Sequence, residues 1–241
     1  MDANENKGFS RPILVAAMSA FLLIPLSAVS AVQPDKTAPS PEILAHRIAE
    51  RYGADAFSKV NCVQFTFNVD VQGKHIKREW TWFPKEDSVL FKGEDAKGVP
   101  LSAAYSRRNK YSMGSESIVG IDKSFINDQY WLLFPLHLGW DKDLKLETAP
   151  GVKPGEAWRL TVMYPSQGGY TPGDAYDLFV DSAATIKRWI FRKGNASMPT
   201  NQVYWSAPSK MGLLDISMEH PGVGKDFKLW FSDVKVSSGP T

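Results

Sequence analysis

Beyond Cys62, apolar side chains recur at every second position. Val63, Phe65, Phe67, Val69 and Val71 alternate with Gln64, Thr66, Asn68 and Asp70, the period of an extended strand with one buried face. Gln72-Gly73-Lys74 supplies a turn. Residues 75–83 then carry Ile76, Trp80 and Trp82 on one face and His75, Lys77, Glu79 and Thr81 on the other, and Pro84 closes the run. Further strands are expected over 88–92, 101–107, 158–164, 175–181, 185–193, 202–206 and 227–236, parted by turns rich in Gly, Pro and Asp. Strands that mostly follow one another at roughly 10- to 15-residue spacing, without alternating helices, predict a mainly β chain whose antiparallel sheet curls into an incomplete barrel.

Two segments depart from that period. Ser40-Pro41-Glu42 reads as a helix start, with a capping hydroxyl, a proline in the first turn and an acid near the positive dipole end. Leu44, Ile48 and Tyr52 follow at every fourth position, and Gly53 is expected to end the helix. In 122–138, Phe125, Ile126, Tyr130, Trp131, Leu133, Phe134 and Leu136 crowd together at mostly helical spacing. Asp122 is expected to cap this second helix and Pro135 to limit it. Both helices would then serve as lid or plug for the sheet.

The N-terminus reads as an export signal. Lys7 and Arg11 precede an apolar run, and Val29-Ser30-Ala31 places small residues at a cleavage site. The expected organisation is a signal peptide over 1–31 cleaved after Ala31, a linker over 32–40 and a single domain over 41–241, released into the periplasm. The alternative is an inner-membrane anchor, since 12–32 is uncharged and close to the roughly 20 residues that span a bilayer. The single cysteine, Cys62, lies far from the cleavage site, so no lipid acceptor stands there. A lone thiol in an oxidising compartment is expected to be buried or inert.

Several functions find no support in the residues. A net charge of +2 with no basic stripe argues against nucleic-acid binding. The histidines 46, 75, 137 and 220 show no metal-ligand spacing, so no metal and no cofactor is expected. Met113-Gly114-Ser115-Glu116-Ser117 lacks the second glycine of a nucleophile turn. Gly168-Gly169 is followed by neither Lys-Ser nor Lys-Thr, as a phosphate loop would be. Catalysis is therefore not expected. The surviving enzymatic alternative is a hydrolase with a dispersed site around Asp174, Asp177 and His137.

The apolar surplus is more informative. Eight Trp and thirteen Phe exceed what the core of such a domain needs. Ile186 and Ile190 oppose Trp189 and Phe191, while Phe227, Leu229 and Phe231 oppose Trp230. Two apolar faces on a barrel strand need two covers, which predicts a container for something apolar or a sheet wrapped by its own helices.

The order of these elements is similar to a known family. An N-terminal helix precedes Val63-Gln64-Phe65-Thr66-Phe67. Trp80-Thr81-Trp82-Phe83-Pro84-Lys85-Glu86-Asp87-Ser88-Val89-Leu90-Phe91 comes next, followed much later by Tyr176-Asp177-Leu178-Phe179-Val180-Asp181 and Ile186-Lys187-Arg188-Trp189. Over roughly 41–236 the chain resembles the LolA/LolB-like superfamily of periplasmic lipoprotein carriers. It departs from them in the run 128–135 and in the turn 168–174, as an uncharacterised branch would. The resemblance implies a half-barrel with a helical lid over an apolar cavity that takes acyl chains, no enzyme activity and no cofactor. The implied partners are a lipid or lipoprotein acyl chain and a membrane-associated donor or acceptor protein. The aromatic excess on alternating strands selects Phe65, Phe67, Trp80, Trp82, Trp131, Phe134, Leu160 and Leu178 as lining residues. The alternative on the same fold is a sensor or protein-binding module.

Overall fold

The computed structural model describes residues 38–95, 97–109, 116–224 and 226–239. The signal segment 1–31, the linker as far as residue 37 and residues 113–115 lie outside the described residues.

The first helix forms as its sequence dictates. In α1 (Pro41–Arg51) the Ser40 hydroxyl accepts from the Ile43 amide at 3.3 Å, and Leu44, Ala45, Ile48 and Ala49 are buried. Gly53 then takes φ +93, where a Cβ would lie 2.8 Å from the Leu213 carbonyl oxygen, so the chain can turn there only without a side chain. The buried Tyr52 hydroxyl accepts from the Ile186 amide at 3.1 Å, tying the end of this helix to a distant strand.

Four strands follow: β1 (Cys62–Val71), β2 (Lys74–Phe83), β3 (Ser88–Glu94) and β4 (Pro100–Ser106). Positive φ at Gln72 and Gly73 makes the tight turn between β1 and β2. The helix α2 (Glu116–Trp140) separates them from β5 (Lys145–Pro150), β6 (Trp158–Met163), β7 (Ala175–Val180), β8 (Ile186–Arg192) and β9 (Asn201–Tyr204). The chain ends with β10 (Ser209–Met211), β11 (Leu214–Ile216), β12 (Glu219–Pro221) and β13 (Phe227–Ser237).

All pairings are antiparallel. One sheet runs β12-β13-β1-β2-β3-β4 and a second runs β5-β6-β7-β8-β9, with β10 and β11 as a small hairpin. A single bridge, Val203 to Gly222, joins the two large sheets at the β9 and β12 side. The eleven strands therefore make one curved wall whose outer edges are β4 and β5. This is a mainly β, incomplete barrel.

The second helix plugs it. Phe125 packs edge-on against Trp80 and Trp82 of β2 at 5.4 and 5.7 Å, while Phe134 meets Tyr176 of β7 at 5.0 Å and Trp189 of β8 at 5.4 Å. One helix thus buries side chains against both sheets. Two salt-bridged networks hold it to the first sheet. The Asp128 carboxylate receives both Arg78 nitrogens at 2.6 Å and the Trp80 indole N–H at 2.9 Å. Asp122 accepts from Arg107 at 2.9 Å, and Arg107 also reaches Asp87 at 3.0 Å.

Three expectations are corrected. Asp122 does not cap α2, because the described helix already runs from Glu116 and carries Asp122 inside, buried against Arg107. Pro135 does not end it. The helix bends instead, with Leu133 at φ −122 and ψ 17 just before a proline that has no amide to donate. In β8 the pairing jumps between Phe179 with Arg188 and Val180 with Ile186. That bulge inserts one residue and reverses the side-chain parity, so Ile186 joins Trp189 and Phe191 on the inner face. The strand β5 and the three-residue strands β10, β11 and β12 are additional to the sequence expectation.

Candidate functional site

The plug does not fill the barrel. A loop leaves β6 at Tyr164 and returns at Asp174, closed at its base by the Tyr164 amide on the Asp174 carbonyl at 2.9 Å and the Gly173 amide on the Pro165 carbonyl at 2.7 Å. It reaches α2 through the Tyr170 hydroxyl, which donates to Asp122 Oδ2 at 2.9 Å. Between loop and helix lie two clefts.

The first, about 580 Å³, is bordered by Trp82, Phe125, Gln129, Trp140, Asp141 and Tyr164. The second, about 610 Å³, is bordered by Trp131, Pro172, Tyr176, Trp189 and Phe191. Ile126, Tyr130 and the segment 169–171 border both, so the clefts are neighbours on either side of the Tyr130 and Tyr170 rings. Each has the volume of a small-molecule site, roughly 300–1,000 Å³, and like such sites each is lined chiefly by apolar and aromatic side chains.

The first cleft has a polar wall. Tyr130 and Tyr164 both donate their hydroxyls to Asp141 Oδ2, at 2.6 and 2.8 Å, and lie 3.1 Å from one another. His137 places Nδ1 3.0 Å from Asp141 Oδ1 and Nε2 3.1 Å from Gln129 Oε1. Tyr130, Phe134, His137 and Asp141 follow one face from α2 into the residue just beyond it, so a single helix presents most of the cluster. Burial favours the neutral form of Asp141, but the His137 imidazole and the two phenols outweigh it and hold the carboxyl below its ordinary range. Burial, reinforced by the Asp141 charge, pushes both tyrosines up, so they remain donors. The wall is a held carboxylate met by two phenols and the His137 imidazole.

The eight residues expected to line a cavity divide. Phe65, Phe67, Trp80, Phe134, Leu160 and Leu178 are each no more than 2% exposed and pack into the core. Phe65 and Phe67 sit against Phe231, and Trp80 against Phe91. Only Trp82 and Trp131 border the clefts, one each. Sequence reasoning missed Tyr130, His137, Asp141, Tyr164 and Tyr170 as a group. The helical spacing of the first three was the available signal.

The residues weighed for a dispersed hydrolytic site are not brought together. Asp177 belongs to the outer face of β7, where it accepts from Thr161 at 2.6 Å and Arg192 at 2.9 Å. Asp174 borders the second cleft and accepts from the Gly194 amide at 2.7 Å. His137 faces the first cleft with both ring nitrogens engaged. Cys62, expected to be buried or inert, is partly exposed because it opens the strand at the sheet's end, and partial burial pushes its thiol up. Among the described residues, no three or more His, Cys, Asp or Glu side chains are grouped to hold a metal ion. No helix among them is long and apolar enough to cross a membrane.

No family model matches the chain, and no curated protein matches it. A crystal structure of a DUF1329 family protein from Desulfovibrio piger is similar at 12% identity and a TM-score of 0.42, covering 84% of this chain and 96% of that one.

Proposed function

We propose that this protein binds the acyl chain of a lipid or lipoprotein in the space between α2 and the 164–174 loop, and carries or presents it as an exported, non-enzymatic binding protein. The observation that carries this reading is the pair of aromatic-lined clefts, about 580 and 610 Å³, left open inside an otherwise packed half-barrel. Burial of each methylene is worth ~0.8 kcal/mol, so such walls hold a chain without specific polar contacts. The similarity of the sequence to the LolA/LolB-like carriers supports the same class of cargo. It also supports a membrane-associated donor or acceptor as the second partner, and a periplasmic location.

The absence of chemistry is part of the proposal. A general base needs a nitrogen directed at the reacting group, and both nitrogens of His137 are taken by Asp141 and Gln129. Release of cargo then rests on the loop, whose hold on the helix includes the contact between Tyr170 and Asp122.

Native mass spectrometry of protein purified from its own host tests the reading directly. A bound lipid is the expected result. Brominated acyl chains should also quench tryptophan fluorescence, since Trp82 and Trp140 border one cleft and Trp131 and Trp189 the other. No lipid and no quenching would overturn it.

A further inference from the structure

We infer that the first cleft takes the positively charged nitrogen head of an amphiphile, an amine or a quaternary ammonium, with Asp141 as its counter-charge, while the second cleft takes the chain. This rests on the binding function proposed above and adds the chemical class of the head.

Three features of the cleft favour a cation. Asp141 accepts from Tyr130, Tyr164 and His137, which occupies three of the about four lone-pair positions of a carboxylate and leaves one that an amine can fill as donor and that a quaternary ammonium can approach by charge alone. Its side chain is 23% exposed, open enough to be reached and buried enough for its charge to act at short range. The same cleft is bordered by Trp82, Phe125, Tyr130, Trp140 and Tyr164, and aromatic rings with one carboxylate attract alkylammonium groups.

Of the basic groups near the cleft, His137 shares Asp141 at Oδ1 and leaves Oδ2 to the two phenols, and the other two are placed where they do not offset the carboxylate. Arg107 is held by Asp87 and Asp122 and lies over the Phe125 ring at 5.5 Å. Lys142 is exposed at the rim beside the equally exposed Asp143. An anionic head would find the guanidinium already neutralised and Asp141 facing it. Because Ile126, Tyr130 and Tyr170 border both clefts, a head in the first places the start of its chain beside the second.

Calorimetric titration of the full chain with single-chain dodecyl amphiphiles below their micellar concentrations separates the outcomes. Dodecyltrimethylammonium should bind about tenfold tighter than dodecyl sulfate, with dodecyl maltoside between them. Dodecylphosphocholine tells a lipid head from a simple amine: matching the trimethylammonium compound assigns a zwitterionic phospholipid head, and falling below it assigns a plain cation. Asp141→Asn should bring the ammonium and sulfate affinities within about twofold. Lys142→Glu, at an exposed rim position, should strengthen ammonium binding and weaken sulfate binding. Sulfate binding as tight as ammonium, or no response to Lys142→Glu, overturns the head assignment while leaving chain binding in place. Failure of all four amphiphiles to bind overturns chain binding itself, and the head assignment with it.

Discussion

Tyr170 and Asp122, forty-eight residues apart in the chain, meet hydroxyl to carboxylate at 2.9 Å. That contact closes a loop from one sheet onto a helix whose same aspartate is salt-bridged to the other sheet through Arg107. The two halves of the barrel and the boundary between the clefts thus converge on one carboxylate. Tyr170 is 45% exposed, so the bond is the accessible end of this arrangement. Tyr170→Phe should lower global stability by about 1–3 kcal/mol, because the Asp122 carboxylate that accepts this bond is buried, while Arg107 and Tyr105 still serve its other oxygen. It should also raise amide hydrogen exchange across 165–174 and speed loss of a bound amphiphile severalfold. Unchanged exchange in that loop would show that the hydroxyl does not restrain it.

The Asp128 network predicts a larger loss of stability. Its carboxylate is fully buried and receives two bonds from Arg78 and one from the Trp80 indole. Asp128→Ala leaves a partly buried guanidinium and an indole N–H without partners, a loss of about 3–5 kcal/mol. Replacing Arg78 and Asp128 together by Met and Leu should recover part of it, since no charge is then stranded and only the Trp80 indole N–H stays without its acceptor. Urea unfolding of the single and double variants measures both. A double variant no better than the single would mean that the bonds, and not the stranded charge, carry the stability.

The sheet was legible in the sequence, and its cleft was not. In β1 and β2, alternation is strict enough to place Phe65, Phe67, Trp80 and Trp82 on the inner face, and the structure puts them there. In β8 the same reasoning assigned Ile186 to the wrong face. Apolar residues occupy both parities there, so nothing in the pattern marks the inserted residue. A surplus of aromatics suggested more apolar surface than a core needs. It could not say which rings stay uncovered, because that depends on where α2 bends and where the 164–174 loop lands. Tyr164 meets Asp141 across twenty-three residues and an intervening strand, a juxtaposition that only the fold creates.

His220 gives the chain a defined sensitivity to acid. Its ring is fully buried beside Trp205 at 4.4 Å, Trp131 at 5.8 Å and Phe231 at 5.9 Å, and neither nitrogen has a hydrogen-bond partner. Burial pushes its pKa from 6.5 down to about 3. Above pH 6.5 the ring is neutral in both folded and unfolded chains and contributes no pH dependence. Below it, the unfolded chain takes up a proton that the folded chain refuses. Stability should therefore fall by roughly 1 kcal/mol per pH unit from pH 6.5 towards pH 3 on this account alone. His220→Phe removes that slope and keeps a planar ring among the tryptophans. Subtracting the two pH–stability curves isolates the histidine from the carboxylates, and parallel curves would sink the assignment.

Ile126 offers the cleanest separation of fold from binding. It lies on α2, is 9% exposed and borders both clefts, yet makes none of the polar contacts that anchor the helix. Ile126→Trp adds ring volume where open space is available, so the overpacking cost of about 1–3 kcal/mol met in a filled core should be largely avoided. The indole would intrude on both clefts at once and exclude a chain from either. Acyl-chain affinity should fall at least about tenfold, the equivalent of 1.4 kcal/mol, while far-ultraviolet circular dichroism and the unfolding midpoint stay close to those of the parent. Ile126→Ala changes the same position in the other direction, enlarging the shared boundary, and should accept a bulkier chain. If both variants bind as the parent does, the acyl chain does not occupy the space beside α2. The binding surface would then have to be sought elsewhere on the barrel, with the curved wall between β4 and β5 as the next place to probe.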